Sequence, residues 1–327
     1  MSPLPTTLTP EQQALRASGI GSSEIAAVVG LNPWMRPIDV WQSKMGRCHE
    51  PEDTAALERG IYLEQGIGAW YANRTSRVLE HPGTLQHPDR WICLATPDAI
   101  SHGLEGANDR RVLEIKAPDW RSAPHWGEEG SQDIPAYYVP QVQWEMGAAQ
   151  IPRADIAALI DGRLQVYTVP FHEKLFAGLC ELAERFWAKH VLTGEAPGPD
   201  GSASYSRFLE RIYPAIKSRS GLIPAPSEAG PLVQEYQRLT AILDRADEQR
   251  TKVRQQLEMM IGDEGGLVGS WGKIYWRQGS ERTKIDYQAI VEQLEVAKVD
   301  PDLIKKHTHV REGTRPFRAY FVASEVA

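Results

Sequence analysis

The chain has 327 residues, a hydrophobic fraction of 42%, a charged fraction of 24% and a formal net charge of −7. The length suits one large domain or a domain with an appendage, and no apolar run reaches the ~20 residues of a membrane span. The acidic balance argues against coating nucleic acid by bulk charge, though a local basic groove is compatible with it.

The N-terminal stretch Met1 to Pro10 is polar and rich in Pro and Thr, without a basic start or an apolar signal core. Cys48, Cys93 and Cys180 are odd in number and far apart. They form no zinc or disulfide framework, and a reducing cytoplasm fits them.

Helices open the chain. One starts at Pro10, and Ser22 or Ser23 caps a second that runs through Ile25 and Val28 to Gly30. Two more cover 36–45 and 53–74. In the latter, Leu57, Ile61, Glu64 and Ile67 keep three- and four-residue spacing, so Glu64 lies on or beside the inward stripe. A carboxylate there needs a cation or a donor.

Strands follow. Trp91 to Thr96 is β-prone and ends at Pro97-Asp98. After a polar turn over 101–110, Val112-Leu-Glu-Ile-Lys116 forms the next strand. A helix spans Ile134 to Gln150. Two strands, 154–160 and 164–169, flank the hairpin turn Asp161-Gly162, and a helix covers 172–190. Helices around a mixed sheet give an α/β (α+β) core.

Breakers concentrate at 193–202 and 218–231, which separates a core of 1–200 from an appendage of 201–327. In the appendage, Leu232, Tyr236, Leu239, Leu243, Val253 and Leu257 form the seam of a long helix packed on another helix or a partner. A hairpin over 267–277 and a last helix from Asp286 follow. Arg311, Arg315 and Arg318 form a basic cluster, and His307 and His309 read as surface residues.

Period-two alternation places Glu114 and Lys116 on one strand face, with Asp98 able to point at the same spot. Two carboxylates and a main-chain carbonyl make a hard oxygen site suited to Mg²⁺, and the ammonium beside them suits phosphodiester hydrolysis. An acidic-x-Lys strand alone is weak evidence. Pro97-Asp98 followed by Glu114-Ile115-Lys116, however, has the form of the PD-(D/E)xK nuclease motif.

Three further segments fall in order around it. They are Arg16 with Gly21-Ser-Ser-Glu-Ile-Ala-Ala-Val-Val-Gly30, Leu57-Glu-Arg-Gly-Ile-Tyr-Leu-Glu64, and Tyr137-Tyr-Val-Pro-Gln141. Together they resemble the YqaJ-like viral recombinase and phage lambda-type exonuclease family over residues 10 to about 190. The resemblance implies a restriction-endonuclease-like core with a mainly helical C-terminal appendage, and a Mg²⁺-dependent 5′→3′ exonuclease acting on double-stranded DNA ends. Two ions are implied, with Mn²⁺ as the alternative metal.

By the same resemblance, Asp98, Glu114 and the Ile115 carbonyl are metal ligands, and Glu64 supports a second ion or its waters. Lys116 positions or activates the water, and Gln141 orients the nucleophile or the phosphate. Arg16, Ser23 and Thr96 correspond to a pocket for a 5′-terminal phosphate. Thr96 and Ala99 depart from the Ser and Gly common at their positions. Trp120 and Trp126 are the aromatics expected to stack on DNA.

The implied partners are DNA ends, a single-strand annealing protein that takes up the 3′ tails, and a homotrimeric ring, with no membrane. The setting is the cytoplasm of a bacterial host of phage or prophage genes. A restriction- or repair-type endonuclease, and a non-catalytic DNA-binding protein on a nuclease scaffold, are the alternatives.

Overall fold

The computed structural model describes residues 10–47, 54–103, 109–119, 122–213, 224–279, 282–286, 306, 308–311 and 317–321. Two compact units divide the chain, Met1–Ser218 and Arg219–Ala327.

In the first unit, α1 (Pro10–Ala17), α2 (Ser22–Val28), α3 (Pro37–Lys44) and α4 (Thr54–Thr75) precede β1 (Val78–Glu80), β2 (Leu85–Gln86), β3 (Leu94–Ala95), β4 (Ala99–His102) and β5 (Arg110–Lys116). Then come α5 (Val139–Ala149), β6 (Arg153–Ile160), β7 (Arg163–Pro170), α6 (Glu173–Phe186) and α7 (Ala203–Ile212). The main sheet among these residues has the order β1-β4-β5-β6-β7. Only β5 and β6 run parallel, with α5 in the connection between them. A mixed sheet flanked by helices is the core architecture expected from the sequence.

The two sheet faces are apolar in different ways. Val112, Ile156 and Ala158 meet Val142 and Met146 of α5. Leu113 and Ala157 meet Ile67 and Tyr71 of α4. Burying both faces of the central strands explains why β6 reads as a nearly continuous apolar run. Its one charged interior residue, Asp155, is 1% exposed. It accepts from Tyr71 Oη at 2.6 Å, Thr168 Oγ1 at 2.8 Å and Arg111 Nη1 at 3.2 Å, which satisfies the buried carboxylate and ties α4 to the sheet. The β6/β7 hairpin turns on Asp161 and Gly162, both with positive φ, as a two-residue type I′ turn requires.

Several boundaries differ from the sequence reading. The strand expected over 91–96 is reduced to Leu94–Ala95, which pairs with β2 outside the main sheet. Residues 99–102, read as the start of a turn, form β4 against β5. Asp98 therefore stands at the head of β4 and not at the end of the preceding strand. The helix expected from Ile134 begins at Val139, with a proline in its first turn where no N–H is missed. Gly21, not Ser22 or Ser23, is the N-cap of α2.

Past the Pro/Gly-rich loop at 193–202, α7 stays with the first unit through a Trp41–Phe208 edge contact with ring centroids 5.8 Å apart. Cys93 and Cys180 are free and buried, and Cys48 lies outside the described residues.

The second unit contains α8 (Ala229–Ile261), β8 (Gly266–Gly269), β9 (Gly272–Trp276), β10 (Arg282–Ile285), β11 (Thr308–Arg311) and β12 (Phe317–Phe321). The 267–277 hairpin expected from the sequence is β8/β9, extended by β12. The apolar seam expected on the long helix is solvent-exposed, with Leu232 and Tyr236 at 70% and 74%. The expected last helix from Asp286, His307 and Arg315 lie outside the described residues. Arg311 and Arg318 fall on strands of different sheets.

Candidate active site

The site lies at the C-terminal end of β5, where it passes the head of β4. Strand alternation turns Glu114 and Lys116 toward α5, while Ile115 faces α4. Asp98 reaches across from β4, and its Oδ2 accepts from the Ile115 N–H at 2.6 Å, which fixes the carboxylate beside the β5 backbone.

Glu114 is 3% exposed. Its Oε1 accepts from Lys116 Nζ and, at 2.5 Å, from Gln141 Nε2. Lys116 also donates to Gln141 Oε1 at 3.3 Å and lies 4.8 Å from the Tyr138 ring centroid. Glu114, Lys116 and Gln141 thus form one hydrogen-bonded group. It is assembled by a strand and by the first turn of α5.

The electrostatics are those of crowded acids. Burial, followed by the charge of Glu114, pushes the Asp98 carboxyl well above its ordinary range; Lys116 opposes this, and Glu64 adds to it. Glu64, on α4, is raised by burial and by Glu114, with His81 and Lys116 pulling the other way. For Lys116, burial disfavours the ammonium, but Glu114 and Asp98 outweigh it and hold the proton on.

Two neighbours were not singled out from the sequence. His81 Nδ1 donates to the Asp98 carbonyl at 2.7 Å. Glu145 is fully buried, and its Oε1 accepts from Gln141 Nε2 at 3.0 Å. The Glu145 Oε2 has no hydrogen-bond partner. Burial, then Glu114 and Asp98, push this carboxyl well above its ordinary range. The signal was available in the sequence: Glu145 is four residues past Gln141, on the same face of α5.

A cleft of about 210 Å³ runs from this acidic group to the opening helices. Asp98, Glu114 and Gln141 line one part of it, and Arg16, Ser22, Ser23, Thr84 and Thr96 another. The link between α1 and α2 is held here by a single parallel β-bridge, Ile20 to Cys93. Ile20 N donates to Ile92 O at 2.8 Å, and Leu94 N donates to Ile20 O at 3.1 Å. Trp144 of α5 bridges the two segments from behind, donating to the carbonyls of Ile20 and Leu94.

Lys44 supports the same corner. Its side chain is almost fully buried, pairs with Glu24 at 2.6 Å and donates to the Arg16 carbonyl at 2.8 Å. Glu24 Oε2 in turn accepts from the Gly21 N–H at 2.7 Å. Thr96 Oγ1 is 3.0 Å from Thr84 Oγ1, which places a second hydroxyl beside the expected one.

The expected aromatics fare differently. Trp126 is 8% exposed and packs in the core against Tyr138 and Tyr167, so its ring is not available to stack on a base. Trp120 lies outside the described residues.

Among the described residues, no three His, Cys, Asp or Glu side chains are grouped closely enough to hold an ion by themselves. The set anticipated here is smaller: two carboxylates with the Ile115 carbonyl, water and phosphate oxygens completing the shell. The donor chemistry fits a hard divalent cation. Asp98 is acidic, largely enclosed and faces like charges, a situation that a cation relieves.

Residues 11–151 match the family model of the YqaJ-like viral recombinase domain. The uncharacterized protein YqaJ of Bacillus subtilis (strain 168) is 26% identical over 305 residues, which cover 90% of either chain. Among solved structures, the alkaline exonuclease LHK-Exo from Laribacter hongkongensis is similar with a TM-score of 0.47 and 18% identity, over 62% of this chain and 100% of that one. The same exonuclease in complex with dAMP gives 0.46 and 19%, over 63% and 98%.

Proposed function

We propose that this chain, whose residues 11–151 match the YqaJ-like viral recombinase domain, is a divalent-metal-dependent exonuclease that degrades double-stranded DNA from 5′ ends. The observation that carries the reading is the shared cleft. Asp98 and Glu114 line it together with Arg16, Ser23 and Thr96, so an acidic centre and a set of phosphate donors face one space. A guanidinium and hydroxyls suit the oxygens of a terminal phosphate.

In this reading Asp98, Glu114 and the Ile115 carbonyl hold Mg²⁺ or Mn²⁺, and Glu64 supports a second ion. The cation supplies Lewis-acid polarisation of the scissile phosphate. Lys116 keeps its proton beside Glu114, so it acts as a fixed positive donor toward the attacking water or the phosphate, not as a base. Gln141 gives one N–H to Glu114 and another to Glu145. Its carbonyl oxygen is left to orient Lys116. Arg16 and the hydroxyls of Ser23 and Thr96 grip the end phosphate and set the polarity.

The tails left behind are 3′ single strands, substrates for an annealing protein in the cytoplasm of a phage-bearing bacterium. A homotrimeric ring around the DNA belongs to the same proposal. No helix among the described residues is long and apolar enough to cross a membrane.

The test is digestion of a linear duplex labelled at either the 5′ or the 3′ end, with Mg²⁺ or with EDTA. Early release of labelled mononucleotide from the 5′-labelled strand, only with Mg²⁺, is the expected result. Internal cutting of closed circles without end-dependent release would instead identify a restriction-type endonuclease. No cleavage under any metal would leave a DNA-binding scaffold.

A further inference from the structure

The loop between α2 and α3 carries Trp34, an indole 66% exposed beside a buried core. It is held in place. Asn32 Oδ1 accepts from the backbone N–H groups of Trp34 at 2.8 Å and Met35 at 3.0 Å, an Asx turn that fixes the loop. The ring meets Tyr137 at a centroid distance of 5.0 Å with the planes at 82°, so one edge is seated while most of the indole stays open.

Tyr137 in turn meets Tyr138 at 4.5 Å, and the Tyr138 ring lies 4.8 Å from Lys116 Nζ. Three successive contacts therefore lead from an open aromatic surface to the ammonium of the acidic site.

Trp70, Trp91 and Trp271 are also exposed, at 46%, 49% and 42%, so exposure alone does not single out Trp34; its seat on Tyr137 and the contacts leading from there to Lys116 do. Here its position beside the acidic site selects the occupant. The three contacts put the indole no more than about 14 Å from Lys116 Nζ, within reach of the base of a nucleotide whose phosphate sits at that ammonium, and an aromatic face accepts any base because every base has a π-face. We infer that Trp34, braced by Tyr137, is a stacking shelf for an unpaired base at the DNA end, next to the phosphate held at the acidic site. The inference rests on the nuclease reading for the identity of the ligand. It assigns to Trp34 the stacking role that Trp126, enclosed in the core, does not fill.

The experiment uses the full chain and a hairpin duplex with one open end, in EDTA so that binding is read without cleavage. The 5′-terminal nucleotide is either intact or abasic, and affinity is measured by fluorescence anisotropy for the wild type, Trp34→Ala and Trp34→Phe. On the intact end, Trp34→Ala should bind roughly ten-fold more weakly and Trp34→Phe should recover most of the loss. On the abasic end, wild type and Trp34→Ala should bind alike.

Binding of the intact end by Trp34→Ala within two-fold of wild type would overturn the inference. So would an equal loss on both ends, because the base would then not be the partner. The two proposals fail separately. A base-dependent Trp34 effect without cleavage in Mg²⁺ keeps the shelf and removes the nuclease. Cleavage in Mg²⁺ without a Trp34 effect does the reverse.

Discussion

Asp98→Asn separates the chemistry of the acidic site from its cost to folding. In the metal-free protein Asp98 is largely enclosed, faces Glu114 and Glu64, and accepts a hydrogen bond from Ile115. Asparagine keeps the shape and an oxygen for the Ile115 N–H while removing the charge.

The sign follows from the raised carboxyl. A group whose folded pKa is raised contributes stability that is fully present below its unfolded pKa and is lost as pH rises through the folded value. The Asp98→Asn variant escapes that loss. The two proteins should therefore be equally stable in acid, and the variant should gain steadily as pH rises toward and beyond neutrality.

A buried polar group without adequate compensation costs about 1–3 kcal/mol. For a domain of 150–250 residues, each kcal/mol moves Tm by roughly 2–4 °C. In EDTA at pH 8 the variant should then melt about 2–12 °C above wild type, read by calorimetry on the transition of the first unit. Mg²⁺ should raise the Tm of wild type and leave the variant nearly unmoved, and cleavage should fall by about three orders of magnitude. A variant that melts at or below wild type across the pH range in EDTA would refute the argument that Asp98 is a strained anion awaiting a cation.

Glu145→Gln replaces a carboxyl held toward its neutral form by a neutral isostere that can still accept from Gln141. It should keep kcat within a few-fold, whereas Glu145→Leu frees Gln141 and should lower kcat by roughly ten-fold or more with KM little changed. Glu24→Gln keeps an acceptor for the Gly21 N–H but breaks the pair with Lys44, which also holds the Arg16 carbonyl. Comparison of 5′-phosphorylated and 5′-hydroxyl duplexes should show the preference for phosphate reduced, while the slower rate on the hydroxyl end persists. Gly147→Ala would drive a methyl into the Phe176 ring, and thermal melting should show a loss of about 1–3 kcal/mol from overpacking between α5 and α6.

What the sequence discloses here depends on how local the cause is. The Asp161-Gly162 turn and the parity of Glu114 and Lys116 are set by neighbours within a few residues, and both appear in the folded chain, whereas the inward stripe of α4 is Leu63, Ile67 and Tyr71, with the expected Ile61 left 49% exposed. Asp98 was harder. Its role depends on which strand it belongs to, and β4 is decided by pairing with β5 across a turn, not by the β-prone run before it. Gln141 and Glu145 share a helix face that the sequence displays, but the depth of that face depends on its packing between the sheet, α2 and α6. The tryptophans were least legible. Trp126 and Trp34 both follow turn-like segments, yet one is enclosed by Tyr138 and Tyr167 while the other is left in solvent. Nothing local distinguishes them, because the enclosing residues are brought by distant strands and helices.

The same dependence bears on the size of the step along DNA. Thr96 and Asp98 are two residues apart, and both line the cleft. Two residues of chain span at most about 7 Å, comparable with the advance from one phosphate to the next along a stretched strand. With Thr96 gripping the end phosphate and Asp98 serving the cut, as the proposed function has them, the covalent chain keeps grip and cut within about one nucleotide of each other. Pro97, buried between them, removes one rotational freedom and stiffens that spacing. Under the proposed function this spacing favours single-nucleotide products, and chromatography of the digest of a uniformly labelled duplex checks it: release of dinucleotides or longer fragments as the first products would refute the argument.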